Sequence, residues 1–498
     1  GLKIEYILYS YRSSKNLEGG PLTRLKEFLE SGANPEDHLD TVAMLASLDF
    51  IEKGSPRVAR AIEQELIDQR NSLKLIASEN YSSLRVQMTM GNWLTDKYAE
   101  GIPFQRYYAG CQNVDDVESY AQELAKKLFN AESCTVQPHS GCDANLAAYL
   151  AILSEVIESS KVKEMGKSLM QMTHKEYEVV RQEFTKARIL GMSLKDGGHL
   201  THGFRNNFSG KLFDAYSYGV DPETERLNYE QIRNLAKEIQ PHILVAGYSS
   251  YSRKVDFSIM RSIADEVGAV LLVDMAHFSG LVAGKVFTGV YDPIPYADVV
   301  TSTTHKTLRG PRGGIVLSKK RFEEGLKRVC PLAQGGPLEH VIAAKAVAFE
   351  EALATDFQKY AHRIVENAET LARHFINEGV RVITGGTENH LMVLDVFSSF
   401  GLTGREAEER LYKGGIIVNK NAIPNDSRGV IQTSGIRIGT PAITSLHMGV
   451  NEMLDVANFI VRCLKGEDPA KIRADVQHLK ARYPLYKAIS LGKLCHTN

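Results

Sequence analysis

Between residues 131 and 318 the chain alternates short apolar runs with helical stretches. Residues 243–248, 269–273 and 298–301 are near-continuous apolar runs of strand length. Between the first two, residues 257–267 set Ile259, Ile263, Ala264 and Val267 on one face, the spacing of an amphipathic helix. Strands apolar on both faces and separated by helices predict an α/β architecture, a mostly parallel sheet covered on both sides. Upstream, a helical stretch is expected near residues 22–30. Another is expected over 58–71, where Val58, Ile62, Leu66 and Ile67 recur at helical spacing. Downstream, one long helix is expected from about 338 to 378. It is followed by strands at 380–384, 390–396, 415–418 and 435–438 mixed with helices. The pattern divides the chain into an N-terminal arm with helices (1–75), a large domain (76–335) and a smaller C-terminal α+β domain (336–498). Residues 154–186 are charged, Met-containing and helical in pattern, an insertion to which no chemistry is assigned.

Composition narrows the class. The 498 residues are 43% hydrophobic and 24% charged, with net charge −1, an ordinary globular balance. No overall basic field exists to steer the chain to nucleic acid or to an anionic membrane. No apolar run approaches the roughly 20 residues of a membrane span. Six cysteines (Cys111, Cys134, Cys142, Cys330, Cys463, Cys495) show no CxxC pair and read as free thiols of a reducing compartment. The chain starts at Gly1 rather than Met, so cytoplasm and mitochondrion both stay open as locations.

Ligands of open parallel sheets bind outside the carboxyl ends of the strands, so the residues that follow each strand carry the information. Asp274 follows Leu271-Leu272-Val273, with His277 three residues on. Thr301, Ser302, Thr303, Thr304, His305 and Lys306 follow Val299-Val300. Ser249 and Ser250 follow the run at 243–248. Alone, a strand-end Asp is more often a helix cap and a Lys in a Gly/Thr loop is more often solvated. Asp274 with His277 has no third ligand at metal-binding spacing, and no GxxxxGK[ST] loop is present. An acid and a lysine converging on one cleft suit pyridoxal phosphate, which needs an amine for its aldehyde and an acid for its pyridine nitrogen. The phosphate has two candidate cups: the hydroxyls beside Lys306, and Ser140-Gly141-Cys142, which sit where a helix should begin. In Gly197-Gly198-His199, a flat ring on a glycine loop suits stacking on a flat cofactor.

The set IASENY (76–81), KYAEG (97–101), RYYAG (106–110), QPHSG (137–141), GGHLTHG (197–203), VDMAHFSGLVA (273–283), TSTTHKTLRGPRGG (301–314), QGGP (334–337), VNKN (418–421) and TSGIRIGTPA (433–442) resembles serine hydroxymethyltransferases over roughly residues 50–485. The resemblance implies the aspartate-aminotransferase-like fold (fold type I) and pyridoxal 5'-phosphate. It also implies reversible transfer of serine's hydroxymethyl group to tetrahydrofolate, with glycine and 5,10-methylenetetrahydrofolate as products. Carried over by motif, Lys306 is the Schiff-base lysine, Asp274 the pyridinium partner, His277 and Ser249 neighbours of the ring hydroxyl, and His199 the stacking ring. Ser140, Gly141, Cys142, Thr303 and His305 fall at the phosphate, with Gly336 reaching in from a partner subunit. Arg437 grips the substrate carboxylate with Ser78 and a neighbouring chain's Tyr98. Glu100 is the acid/base residue, Tyr108 its neighbour, and Leu194, Gly198, Leu200 and Asn421 the folate-contacting positions. Cross-subunit residues imply at least a homodimer, with a tetramer left open.

Each role has a physical reason. Arg437 offers a planar fork that matches a carboxylate. Glu100 must be protonated for part of the cycle, so a raised pKa among apolar neighbours is expected. The aromatic cluster Tyr98, Phe104, Tyr107 and Tyr108 offers flat walls to a pterin. Three positions depart from the family pattern. Cys142 stands where a second phosphate-binding Ser is usual, with Asp143 beside it, which predicts weaker cofactor retention. Ala109 replaces a glycine, and Gly429-Val430-Ile431 fills a loop that usually bounds the folate site. Two alternatives remain. A folate-independent aldolase of the same fold, threonine-aldolase-like, shares Lys306 and Asp274 but has no use for Glu100, Tyr108 and Asn421. A catalytically silent scaffold predicts damage to the lysine or the acid, and both are intact.

Overall fold

The computed structural model describes residues 23–489, which form two compact units, 23–70 with 484–489 and 71–483. Cys495 lies outside the described residues; the other five cysteines are free thiols. The first unit holds helices α1 (Arg24–Glu30), α2 (Leu39–Gly54) and α3 (Pro56–Asn71). Its centre is polar: the buried Arg24 guanidinium meets Asp49 at 3.1 Å, Glu52 at 2.6 Å and Glu63 at 2.6 Å. The apolar stripe expected on α3 is real, yet within the chain it buries Ala59 and leaves Val58 and Ile62 exposed.

The second unit is built on a seven-stranded sheet. Its strands are β1 (Ser133–Thr135), β2 (Arg188–Met192), β3 (Asp214–Tyr218), β4 (Ile243–Gly247), β5 (Val270–Asp274), β6 (Val299–Thr303) and β7 (Gly314–Ser318). Across the sheet they run β1-β7-β6-β5-β4-β2-β3. All neighbours pair in parallel except β7, which is antiparallel to both β6 and β1. Side chains alternate along each strand. Leu244, Ala246, Leu271, Val273 and Val300 enter one buried cluster, whereas Ile243, Val245, Val270, Leu272 and Val299 enter another. Two apolar cores, one per face, are what continuous apolar strands were expected to need.

Helices α4 (Gln112–Phe129), α5 (Gly141–Leu153) and α6 (Phe257–Val267) cover the sheet. The 154–186 segment is helical as expected, a π turn at Ser154–Glu158 leading to helices at Ser159–Met165 and His174–Thr185. The single helix expected over 338–378 is instead two, α7 (Glu339–Leu353) and α8 (Thr355–Asn377). Ala354 is extended (φ −74°, ψ 149°) and ends one while opening the other. The apolar period runs on through the break and hides it, whereas Thr355-Asp356 marks a helix start.

A four-stranded antiparallel sheet follows, formed by β8 (Arg381–Val382), β9 (Leu391–Asp395), β10 (Asn419–Asn421) and β11 (Gly435–Gly439) in the order β8-β9-β11-β10. The strand expected at 380–384 is only two residues long, because a 3-10 turn takes over at Ile383–Gly385. The one expected at 415–418 pairs outside this sheet: Ile416–Ile417 lies parallel to Leu73–Lys74. That pairing, with the carbonyl of Leu75 accepting the Gly439 N–H at 2.8 Å, ties the IASENY stretch to the end of β11.

A candidate cofactor site at the strand ends

Five of the seven strands run in the same sense as β5, and the segments that follow their carboxyl ends meet at one edge. Gly247 closes β4 in the left-handed region (φ +108°), and a Cβ there would overlap the Asp274 carbonyl oxygen. Glycine alone permits that approach. Asp274 ends β5 with its carboxylate buried. Oδ2 accepts the Nε2–H of His202 at 2.8 Å and the Nδ2–H of Asn145 at 3.0 Å, and Oδ1 accepts the Ala276 N–H at 3.0 Å. Burial pushes this carboxyl upward, and the His202 and Asn145 bonds more than offset it, so the group sits well below the usual carboxylate range.

The donors are themselves fixed. Asn145, on α5, accepts from the Thr301 hydroxyl at 2.6 Å, which turns its amide NH2 toward Asp274 and toward Thr201 Oγ1 at 2.7 Å. The Thr201 hydroxyl then lies 2.7 Å from His199 Nδ1, which also accepts the Thr201 N–H at 3.2 Å. His202 Nδ1 accepts the His199 N–H at 3.2 Å, which leaves its proton on Nε2 for Asp274. His199, His202 and Asp274 are close enough to suggest a metal cluster. Both nitrogens of His202 are committed to hydrogen bonds, so it has no lone pair to give an ion. Burial pulls His199 down to about 4, so its ring is neutral near pH 7.

Lys306 follows β6. Its amine is 3.4 Å from Thr303 Oγ1, and its carbonyl accepts from Asn80 Nδ2 at 2.8 Å. Burial pulls the amine down to about 8, against the upward influence of Asp274. The hydroxyls before it are mostly engaged internally: Thr301 to Asn145, Ser302 to the Thr303 carbonyl at 2.7 Å, Thr304 to the Pro311 carbonyl at 2.6 Å. Only Thr303 stays beside the amine, so the better phosphate cup is the start of α5. There Ser140 is the N-cap, accepting the Asp143 N–H at 3.1 Å, with Gly141 against Thr303 and Cys142 exposed. His305 accepts the Gly313 N–H at 3.5 Å and is lowered to about 3 by burial.

Arg437, on β11, donates Nε–H to Asn419 Oδ1 at 3.1 Å and an NH1 proton to the Ser249 carbonyl at 2.7 Å. Burial pulls it down to about 10, and no carboxylate of the described residues pairs with it. Such a guanidinium is preset for an anionic ligand. Ser78 lies next to Ala77, which packs on Gly439 two residues past Arg437. His277 is buried with its Nδ1 3.1 Å from His390 Nε2. Leu194 and Leu200 lie on the two 3-10 turns after β2, and Gly198, between them, is held by its N–H to the Ser193 carbonyl at 2.9 Å. Asn421, on β10, pairs with Gly435 of β11.

A second group makes no hydrogen bond with Lys306 among the described residues, although the Gly336 carbonyl lies 3.2 Å from His139 Nε2, next to Ser140. Tyr108 donates to Glu100 Oε2 at 3.3 Å and packs edge-on against Tyr98 at 5.4 Å, and Gly336 lies against Tyr98. The aromatic cluster is not core: Tyr98 is 59% and Phe104 75% exposed. Arg106 holds Glu100 from both flanks, donating to the Ala99 carbonyl at 2.8 Å and the Gly101 carbonyl at 3.4 Å. Its far end reaches buried Glu118 at 2.7 Å. His202, Asn145, Asn80 and Arg106 were not singled out in the sequence. All but Asn145 lie inside the quoted motifs, and motif membership was their only signal.

A family model described as serine hydroxymethyltransferase matches residues 51–174 and 158–460, two pieces that overlap within the 154–186 segment. The chain belongs to the serine hydroxymethyltransferase family. A serine hydroxymethyltransferase of Cutibacterium acnes (strain DSM 16379 / KPA171202) is 56% identical over 466 residues, 89% of this chain and 95% of its own length. One of Chlamydia felis (strain Fe/C-56) is 51% identical over 494 residues, 94% of this chain and 99% of its own. Members of the serine hydroxymethyltransferase family are pyridoxal-phosphate enzymes of fold type I that use tetrahydrofolate as co-substrate. The residues at the strand ends fit that cofactor, with a buried ionised acid, a low-pKa amine, a helix N-terminus and a guanidinium without a carboxylate partner among the described residues.

Proposed function

We propose that this chain transfers the hydroxymethyl group of serine to tetrahydrofolate, reversibly, giving glycine, 5,10-methylenetetrahydrofolate and water, with the strand-end residues in the roles their geometry suits. The observation that carries the reading is a buried Asp274, held by His202 and Asn145, beside an amine at Lys306 at the carboxyl ends of two neighbouring strands, β5 and β6. Pyridoxal phosphate, when bound, supplies an electron sink for the bond broken at the substrate's α-carbon. Lys306 would hold its aldehyde, Asp274 its protonated ring nitrogen, and Ser140, Gly141, Cys142, Thr303 and His305 its phosphate. His199, neutral near pH 7, offers a flat face without adding charge to the ring. Arg437 binds and orients the amino acid's carboxylate, with Ser78 beside it, while Ser249 pins the guanidinium through its carbonyl.

Glu100 is the proton carrier of this reading, exchanging a proton with the serine hydroxyl or with folate, and Tyr108 orients its carboxyl. Leu194, Gly198, Leu200 and Asn421 are the folate-contacting positions. Glu100, Tyr98, Tyr108 and Gly336 make no hydrogen bond with Lys306, Asp274 or Arg437 among the described residues, and they sit among exposed rings. The exposed rings of Tyr98, Phe104 and Tyr108 support at least a homodimer in which one subunit's Glu100 group completes its partner's lysine site. The seven-stranded sheet before residue 335 and the four-stranded sheet after it support the division into a large domain at 76–335 and a smaller one at 336–498. No helix is long and apolar enough to cross a membrane. Borohydride reduction with peptide mapping tests the site, and serine cleavage with and without tetrahydrofolate tests the reaction. A label away from Lys306, or a rate indifferent to folate, overturns the corresponding half.

A further inference from the structure

His390 takes no part in the site described above, yet it touches it. It directly precedes β9, is fully buried, and places Nε2 3.1 Å from Nδ1 of His277. The ring centroids are 5.4 Å apart with planes 28° from parallel, so the two rings meet edge to edge, nitrogen to nitrogen. The other nitrogen of His390, Nδ1, is buried with no hydrogen-bond partner. His277 is itself pinned, since its carbonyl accepts the Thr307 hydroxyl at 2.9 Å.

We infer that His390 is a positioning residue that donates its Nε2–H to His277 and so fixes the proton of His277 on Nε2, the nitrogen on the far side of that ring. The inference rests on the reading of His277 as a residue of the cofactor site. The argument compares two tautomeric arrangements. Burial, with Lys306 and Arg437 nearby, keeps both rings uncharged near pH 7, so a single proton lies between them. If His277 donated from Nδ1, His390 would carry its own proton on Nδ1, a buried N–H with nothing to accept it. If His390 donates from Nε2, the unpaired atom is a lone pair, and an unpaired buried acceptor is the more tolerable loss. The second arrangement therefore prevails. It makes His277 a neutral N–H donor on its outer side, the form that stabilises an anionic ring oxygen and cannot compete with it for a proton.

The test uses the full chain with 15N-labelled histidine. Two-bond proton–nitrogen correlations in the wild type, assigned by loss of signal in His277→Gln, should show His277 protonated on Nε2 and bare on Nδ1. His390→Gln keeps a donor and should preserve that tautomer and the affinity for pyridoxal phosphate within about twofold. His390→Leu removes the donor; it should mix the tautomers, shift the visible absorption of the bound cofactor and weaken its binding about tenfold. Protonation of His277 on Nδ1 in the wild type overturns the inference, as does a Leu variant that keeps both tautomer and affinity, or Gln and Leu variants equally impaired. If His390→Leu does not fold, the wild-type spectrum decides alone. A chain that takes up no pyridoxal phosphate refutes the reading of the site, while the spectrum still decides the tautomer.

Discussion

His202 gives its Nε2–H to the Asp274 carboxylate at 2.8 Å from 72 residues earlier in the chain. The bond anchors the His199 loop to the sheet and keeps the acid ionised in a buried setting. Loss of the donor in His202→Leu should cost the chain about 2 kcal/mol at pH 7, measured by urea unfolding. The folded-state pKa of Asp274 is depressed, so its contribution is present above the ordinary carboxylate pKa and is lost as pH falls through the folded value. The difference between variant and wild type should therefore hold from pH 7 down to the ordinary carboxylate pKa of about 3.8 and narrow only below it.

Lys306 reacts only as the free amine. With its pKa at about 8, uptake of pyridoxal phosphate by the cofactor-free chain should rise about tenfold per pH unit below that value and level off above it. A stopped-flow pH profile that keeps rising to pH 10 would show the amine to be unperturbed.

Arg437 has no carboxylate partner among the described residues. Arg437→Lys keeps the charge and loses the fork. The KM for serine should rise about a hundredfold with kcat changed far less, provided the bond is made equally in ground and transition states. Steady-state kinetics at saturating folate read the split.

Cys142 stands at the start of α5, where partial desolvation and then the Asp143 carboxylate push its thiol up. A serine hydroxyl is the better phosphate donor. Cys142→Ser should tighten cofactor binding about fivefold, on the scale of one modest hydrogen bond, by equilibrium dialysis; unchanged affinity would remove Cys142 from the phosphate cup.

A site shared between subunits makes a complementation experiment decisive. Lys306→Ala and Glu100→Gln chains, each inactive, should regain about a quarter of wild-type activity when unfolded and refolded together, because half the dimers then carry one intact site. No recovery would place both residues in one chain's site.

Much of this was legible before the fold. Helix 257–267 was read to the residue, because Ile263, Ala264 and their neighbours repeat with the helix period. The strands ending at Gly247, Asp274 and Thr303 were read to within two residues, because their runs are apolar on both faces. The break at Ala354 was not legible, since the apolar period passes through it. Nor was the use of the Thr301, Ser302 and Thr304 hydroxyls: a hydroxyl's partner is set by distant chain, and these three turned inward.

The sequence alone determined the alternation of buried strands and helices, the family and the identity of the lysine, acid and arginine, because period and motif are local properties. Only the tertiary structure decided that Asn145 and His202 hold Asp274 ionised, that Arg106 clamps Glu100, and that His390 backs His277. The contacts of Asn145, His202 and His390 span 129, 72 and 113 residues, and that of Arg106 depends on a turn closing over five to seven. Burial, which sets each pKa and each unpaired atom, exists only once the chain has closed around them.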